Sequence, residues 1–353
     1  MQRGGHLAVG ADECLQRFAL VLGAGLVEVV KVAARSRFSW SDSPQLTQSR
    51  GISSRAARWK KRFTWAILPL FRARVKRMQL FALVIGARCG IMPRMKYTEK
   101  LAARIAATRS ALCVGLDPRP QAENMTELAD WLRKVVEETA PYAAAYKPNI
   151  AYFEAMGLPG LKMLEELLPD MPKDIPVILD AKRGDIGETQ KYYAQAYFDR
   201  MDVDAVTLNP FMGYDILEPF LDRPGKAVYL LAVTTNPGSV DVEQQVLANG
   251  RKVYQLVGDM VTRSIAENSA TEVGMVVGLT NANSQILTDL PDAPLLVPGL
   301  GAQGGDLSAL TGGTRVAPPT INVSRGILYK DPELSFAEKA EKWATLIRSA
   351  LAL

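Results

Sequence analysis

The sequence predicts an α/β protein whose body is a closed (β/α)8 barrel of the TIM type, preceded by a basic N-terminal extension of low predicted order. Three observations predict it. From Met95 onward, short apolar runs ending in Gly, Pro, Asp or Asn alternate with amphipathic stretches, and strands alternating with helices imply parallel pairing. The runs number eight. They fall within about 250 residues, the usual length for eight strand–helix units closed on themselves. A doubly wound open sheet is the structural alternative.

The strands are read, in order, over Leu112–Leu116, Ala143–Lys147, Val177–Leu179, Ala205–Leu208, Val228–Val233, Gly274–Val277, Leu295–Val297 and Ile321–Val323. Each is a short apolar run closed by a turn former. After the first strand, Leu128, Trp131, Leu132, Val135 and Val136 recur at helical spacing and predict a helix over Thr126–Thr139. The last helix opens with Ser335-Phe336-Ala337-Glu338, a capping box. It sets Phe336, Ala340, Trp343, Ile347 and Ala350 along one stripe. The long segment after the fifth strand, Pro237–Gly250, is read as a lid.

Charge divides the chain. Residues 1–94 carry 17 Lys or Arg against 4 Asp or Glu, and residues 95–353 carry 25 against 33. The net charge of +5 therefore belongs to the first quarter of a mildly acidic protein. In 1–94 basic residues interrupt every apolar run, so no stretch reaches the roughly 18 residues of a membrane span, and no secretory signal is legible. The segment is read as a disordered basic tail or a mis-assigned start, since Met92 or Met95 would open a compact product. The domain boundary is thus 1–94 and 95–353. Cys14, Cys89 and Cys113 have no CxxC spacing, which fits neither a disulfide framework nor a zinc site and suits a reducing cytoplasm. The single histidine, His6, lies in the extension, so the chemistry of the body must run without an imidazole.

In such a barrel chemistry sits where strands end. The polar residues there are Asp117, Lys147, Asp180, Lys182, Asp185, Asn209, Thr234, Thr235, Asn236 and Arg325. "PGLGAQGGD" (Pro298–Asp306) after the seventh strand lets the backbone approach a ligand and aim N–H groups at it. With Arg325 beside it as a fixed cation, it reads as a phosphate cradle. Around Asp180, Lys182 and Asp185 three readings stand: a rim salt bridge of little value, a hard-cation site, and an electrostatic device. An ammonium between the acids occupies the space a divalent ion needs, and Lys147 nearby adds a second cation, so no metal is expected. On an extended strand Asp180 and Lys182 share a face, both toward the barrel mouth. Lys182 between carboxylates stays protonated and is read as a proton donor.

These residues resemble those of the orotidine 5′-monophosphate decarboxylase family, and more closely its longer bacterial subgroup, type 2. The resemblance rests on "DAKRGDIGET" (Asp180–Thr189), "YKPN" (Tyr146–Asn149), "TTNPGS" (Thr234–Ser239), "PGLGAQGGD" and "SRGI" (Ser324–Ile327). It covers 95–353, and the extension has no counterpart. It implies conversion of orotidine 5′-monophosphate to UMP, the last step of de novo pyrimidine synthesis, without metal or cofactor, in a cytoplasmic homodimer. By resemblance Lys182 is the general acid that protonates C6. Asp180 faces the substrate carboxylate, and Lys147 bonds to the ribose and to Asp180. Asp185 reaches into the partner's site, with Ile186 and Thr189 alongside. Asp117 holds ribose hydroxyls and Thr235 the pyrimidine, although serine would be equally expected there. Gln303, Gly304, Gly305 and Arg325 hold the phosphate.

The chemistry suits these groups. Loss of CO2 from C6 leaves an in-plane carbanion that no adjacent π system delocalises. Without an electron-sink cofactor, the remaining lever is a cation placed where charge develops and a phosphate grip that orients the base. The nearest alternative is a Mg-dependent sugar-phosphate decarboxylase or synthase of the same barrel type. There a carboxylate is expected at the end of the second strand, where this chain has Lys147. A rival of another class makes the basic first quarter a nucleic-acid or membrane contact and the barrel inert; neither partner is expected.

Overall fold

The computed structural model describes residues 95–119, 124–280, 284–299, 307–310 and 315–353. The extension 1–94, with His6, Cys14 and Cys89, lies outside the described residues.

Eight parallel strands carry the fold: β1 (Leu112–Leu116), β2 (Ala145–Pro148), β3 (Ile178–Arg183), β4 (Ala205–Leu208), β5 (Ala227–Val233), β6 (Glu272–Val277), β7 (Leu295–Val297) and β8 (Pro319–Val323). They form one sheet in the order β2-β1-β8-β7-β6-β5-β4-β3. Two isolated parallel bridges, Tyr146 to Val177 and Asn149 to Asp180, join its edges, which makes the sheet a barrel and rules out the open-sheet alternative. All eight sequence-predicted strands are present. Three coincide with their expected bounds; β2 starts two residues later, and β3 runs on to Arg183.

Helix α1 (Tyr97–Thr108) crosses the end of the barrel where strands begin. Thr98 donates from its N–H and hydroxyl to Glu272 at 2.8 and 2.6 Å. Lys100 pairs with Asp204 at 2.7 Å, and the Arg104 Nε–H donates to the Ala143 carbonyl. Tyr97, fully buried, meets the Tyr229 hydroxyl of β5 at 3.0 Å, and its ring stands edge-on to that of Tyr229. The floor of the barrel is therefore a pair of phenols.

Around the barrel run α2 (Met125–Thr139), α3 (Ile150–Glu154), α4 (Gly157–Asp170), α5 (Gly187–Ala194), α6 (Val253–Ala266), α7 (Ser284–Asp289), α8 (Arg325–Leu328) and α9 (Phe336–Leu351). The expected helix after β1 is α2, capped by the Asn124 side chain accepting from Thr126 N–H. The expected capping box at Ser335 and Glu338 opens α9, which buries Ala340, Ala344 and Ile347. Between β4 and β5 the regular helix is replaced by three one-turn 3-10 segments, Pro210–Met212, Tyr214–Ile216 and Glu218–Phe220. Pro210 and Pro219 lack the N–H a continuous helix needs, and Gly213 takes φ 101°.

Candidate active site

The charged residues at the strand ends meet on β2 and β3. Lys147, at the β2 tip, donates to Asp180 Oδ2 at 2.8 Å. Lys182 contacts the other oxygen, Oδ1. Lys147 is 4% exposed and Asp180 9%, whereas the Lys182 side chain is 47% exposed. One carboxylate therefore holds a sealed cation on one side and an open one on the other.

Their fields reinforce one another. Burial alone would raise the Asp180 pKa, but the charges of Lys147 and Lys182 and their hydrogen bonds pull it well below the usual carboxylate range. Burial works against the charged form of Lys147 as well. Asp180 and, beyond it, Asp117 outweigh that and hold the ammonium above its ordinary value. Cys113, one strand away, has its thiol pushed up to about 12, chiefly by burial.

The expectation that Asp180 and Lys182 share a face of a regular strand needs correcting in its reason. Lys182 has φ +48°, a left-handed backbone in which two-residue alternation does not hold. The β3–β4 ladder shifts register there: Leu179 pairs with Val206, and Arg183 with Leu208, so four steps on β3 match two on β4. The two side chains meet through this bulge and not through the pleat. Gly184 follows because a Cβ there would stand 2.6 Å from the Asn209 carbonyl oxygen.

Sequence reasoning missed Thr207. Its hydroxyl lies inside the bulge, accepting from Ala181 and Lys182 N–H at 3.0 and 2.9 Å and donating to Asp180 Oδ1 at 3.1 Å. An inward threonine one residue short of a strand end carries no signal that separates it from a core residue. Tyr329 was missed as well. Its hydroxyl donates to the Asp117 carbonyl at 2.9 Å and accepts the Arg119 N–H at 2.7 Å, while its ring stacks on Trp131. It pins the loop that presents Asp117, whose Oδ1 is buried with no partner among the described residues. Asn322 Oδ1 and Ser324 Oγ on the neighbouring β8 end are buried and unpartnered in the same sense.

Of the remaining predicted residues, those described stand at or just after strand ends. Thr235 follows β5, and a Cβ on Gly278 would lie 2.4 Å from its Cγ2 and 3.0 Å from its backbone nitrogen, so the glycine admits the threonine. Arg325 is exposed at the first position of α8. Its neighbour Gly326 lets α8 press against Trp343, since a Cβ there would meet Nε1 at 2.8 Å. Asp185 accepts the Ile186 N–H at 2.8 Å and makes no ion pair with Lys182 among the described residues. Ile186 and Thr189 are exposed. Gln303, Gly304 and Gly305 lie outside the described residues. The segment expected to be a lid is tied to the end of β5, where the Glu243 carboxylate accepts from the Thr234 N–H and hydroxyl, both at 2.7 Å.

A cavity of about 470 Å3 lies at the opposite end of the barrel, lined by Lys100, Val177, Asp204 and Lys226 among others. Its lysines are engaged, Lys100 with Asp204, Lys226 with Asp202 and Lys173 with the Pro169 carbonyl. The converging charges at the other end, and not this cavity, mark the site. Among the described residues no three His, Cys, Asp or Glu side chains group as a metal site.

A family model described as orotidine 5′-phosphate decarboxylase / HUMPS family matches residues 110–340. An orotidine 5′-phosphate decarboxylase of Herpetosiphon aurantiacus is 41% identical over 257 residues, covering 70% of this chain and 95% of that protein. The structure is similar to Leishmania donovani OMP decarboxylase, with TM-score 0.64 and 36% identity over 72% of this chain and 99% of the other. It also resembles Leishmania donovani UMP synthase, with TM-score 0.66 and 38% identity over 72% of this chain and 56% of that one.

Proposed function

Since this chain belongs to the orotidine 5′-phosphate decarboxylase family and is a carboxy-lyase that forms UMP in pyrimidine synthesis, we propose that Lys182 is its general acid. The observation that carries this is the Lys147–Asp180–Lys182 chain of contacts, in which the last ammonium is much the more exposed.

In this reading the C6–carboxylate bond breaks and its electron pair stays on C6. The Lys182 ammonium, held where that charge develops, stabilises it and then gives up one proton to C6. Carbon dioxide leaves, and Lys182 recovers a proton from water. Asp180 faces the departing carboxylate and fixes the ammonium; Lys147 keeps Asp180 ionised and reaches the ribose. Asp117, with a buried oxygen that has no partner among the described residues, takes a ribose hydroxyl. Thr235 takes the pyrimidine, and Arg325 with Gln303, Gly304 and Gly305 takes the phosphate. The mechanism calls on no organic cofactor, and both Asp180 oxygens already carry ammonium groups where a divalent ion would sit. The catalytic unit is residues 95–353, with the cytoplasm as its place; no described helix is long and apolar enough to cross a membrane.

A homodimer completes the site, with Asp185 serving the partner. Supporting this, the tips after β3 and β4 expose large apolar side chains, Ile186 at 63% and Phe211 at 82%, together with Tyr192 and Met212. Such a patch is what a second copy would cover.

The test uses chelator-treated protein and the loss of orotidylate absorbance. Wild type is expected to turn over undiminished, and Lys182→Ala to lose at least about 1,000-fold in kcat while binding UMP within roughly tenfold of wild type. Near-native turnover by Lys182→Ala would remove the assignment, and loss of wild-type activity on chelation would favour the Mg-dependent alternative.

A further inference from the structure

The hydrogen-bond inventory of one hydroxyl carries a further assignment. Thr207 is 1% exposed on β4. A threonine hydroxyl has one proton and two lone pairs. Here the backbone N–H groups of Ala181 and Lys182 both point at Oγ1, at 3.0 and 2.9 Å. With the lone pairs so used, the single proton goes to Asp180 Oδ1, 3.1 Å away. The direction of every bond at this atom is thereby fixed.

Two consequences follow. The register shift between Leu179 and Arg183 interrupts the regular ladder at Ala181 and Lys182, and buried amides need acceptors. One side chain supplies both. It thereby supports the left-handed backbone at Lys182, φ +48°, a conformation disfavoured for a non-glycine residue that persists where its surroundings hold it. The same hydroxyl also holds the Asp180 oxygen that Lys182 touches. It therefore fixes both ends of the pair, the backbone from which the ammonium reaches and the carboxylate against which it rests.

We propose that Thr207 is a positioning residue for decarboxylation, setting where the Lys182 ammonium stands relative to C6. The assignment rests on the general-acid reading above and adds a residue to it. Thr207 touches no reacting atom, and its effect is expected on kcat and not on nucleotide affinity. It also explains why the donor can be half exposed and still held: its carbon chain is free, but its origin and its counter-ion are not.

The test compares Thr207→Val, which keeps the shape and loses the hydroxyl, with Thr207→Ser, which keeps it. Thr207→Val is expected to lose about 10- to 100-fold in kcat, the range of one hydrogen bond to a charged group. Its KM and its UMP dissociation constant should stay within about threefold of wild type. Thr207→Ser should restore kcat to within a few-fold. If Thr207→Val does not fold, Thr207→Ala is measured in its place with the same expectations. Equal loss in the valine and serine variants, or a fall in UMP affinity matching the fall in kcat, would overturn the proposal. So would near-native kcat in the valine variant. The parent reading fails separately, through an active Lys182→Ala.

Discussion

Asp180 and Lys147 each fix the charge of the other. The carboxyl of Asp180 titrates well below its ordinary value, so its contribution to stability is complete above the unfolded pKa, about 3.9. That contribution is lost as pH falls toward the folded value. Lys147 titrates above its ordinary value, so its contribution is complete below about 10.4 and is lost only as pH rises past that. The pair is thus ionised throughout the neutral range. Melting wild type and a Lys147→Met/Asp180→Asn double variant in parallel should give a constant difference in Tm from about pH 5 to 9, shrinking only below about pH 4. A difference that changes near neutrality would mean that one partner titrates there. At this scale the sequence showed the charged residues well, because Lys and Asp at strand tips are conspicuous. Thr207 and Tyr329 were hidden, because a hydroxyl serving two backbone amides or one loop carbonyl looks like any core residue until the backbone is seen.

Among the elements, β3 departs furthest from its sequence pattern. Alternation places Asp180 and Lys182 on one face, yet the structure brings them together through a bulge and a left-handed residue. No local signal at Lys182 announces this, since positive φ in lysine is uncommon and depends on the neighbouring strand. Strand existence, by contrast, was fully legible from apolar runs. A second element feature concerns the tips of β5 and β6, where Gly278 makes room for Thr235. Gly278→Ala would force its new methyl to 2.4 Å from Thr235 Cγ2 and is expected to cost about 1–3 kcal/mol, typical of overpacking, with a raised KM. Adding Thr235→Ser removes the clashing methyl and should recover part of both losses. An additive double variant, read by Tm and KM, would show that the two residues do not compete for that space.

For the whole molecule, the closed barrel followed from the count and spacing of eight runs, while the contacts that close it did not. Closure depends on two bridges between β2 and β3, contacts between segments that only the finished fold brings together. The absent helix between β4 and β5 was written in Pro210, Gly213 and Pro219, which read as plain turn formers. Subunit sharing is testable at this scale by mixing two inactive variants. If Asp185 serves the partner, a hybrid of Lys182→Ala and Asp185→Asn subunits has one intact site, and statistical reassortment should restore about one quarter of wild-type activity. No recovery after confirmed exchange would place Asp185 in its own subunit's site. The hydroxyl-to-hydroxyl contact of Tyr97 and Tyr229 has one last bearing on turnover. With the base of the cylinder stoppered, nucleotide and gas share a single doorway, and under the proposed role of Lys182 so does the hydrogen ion that would restore its amine.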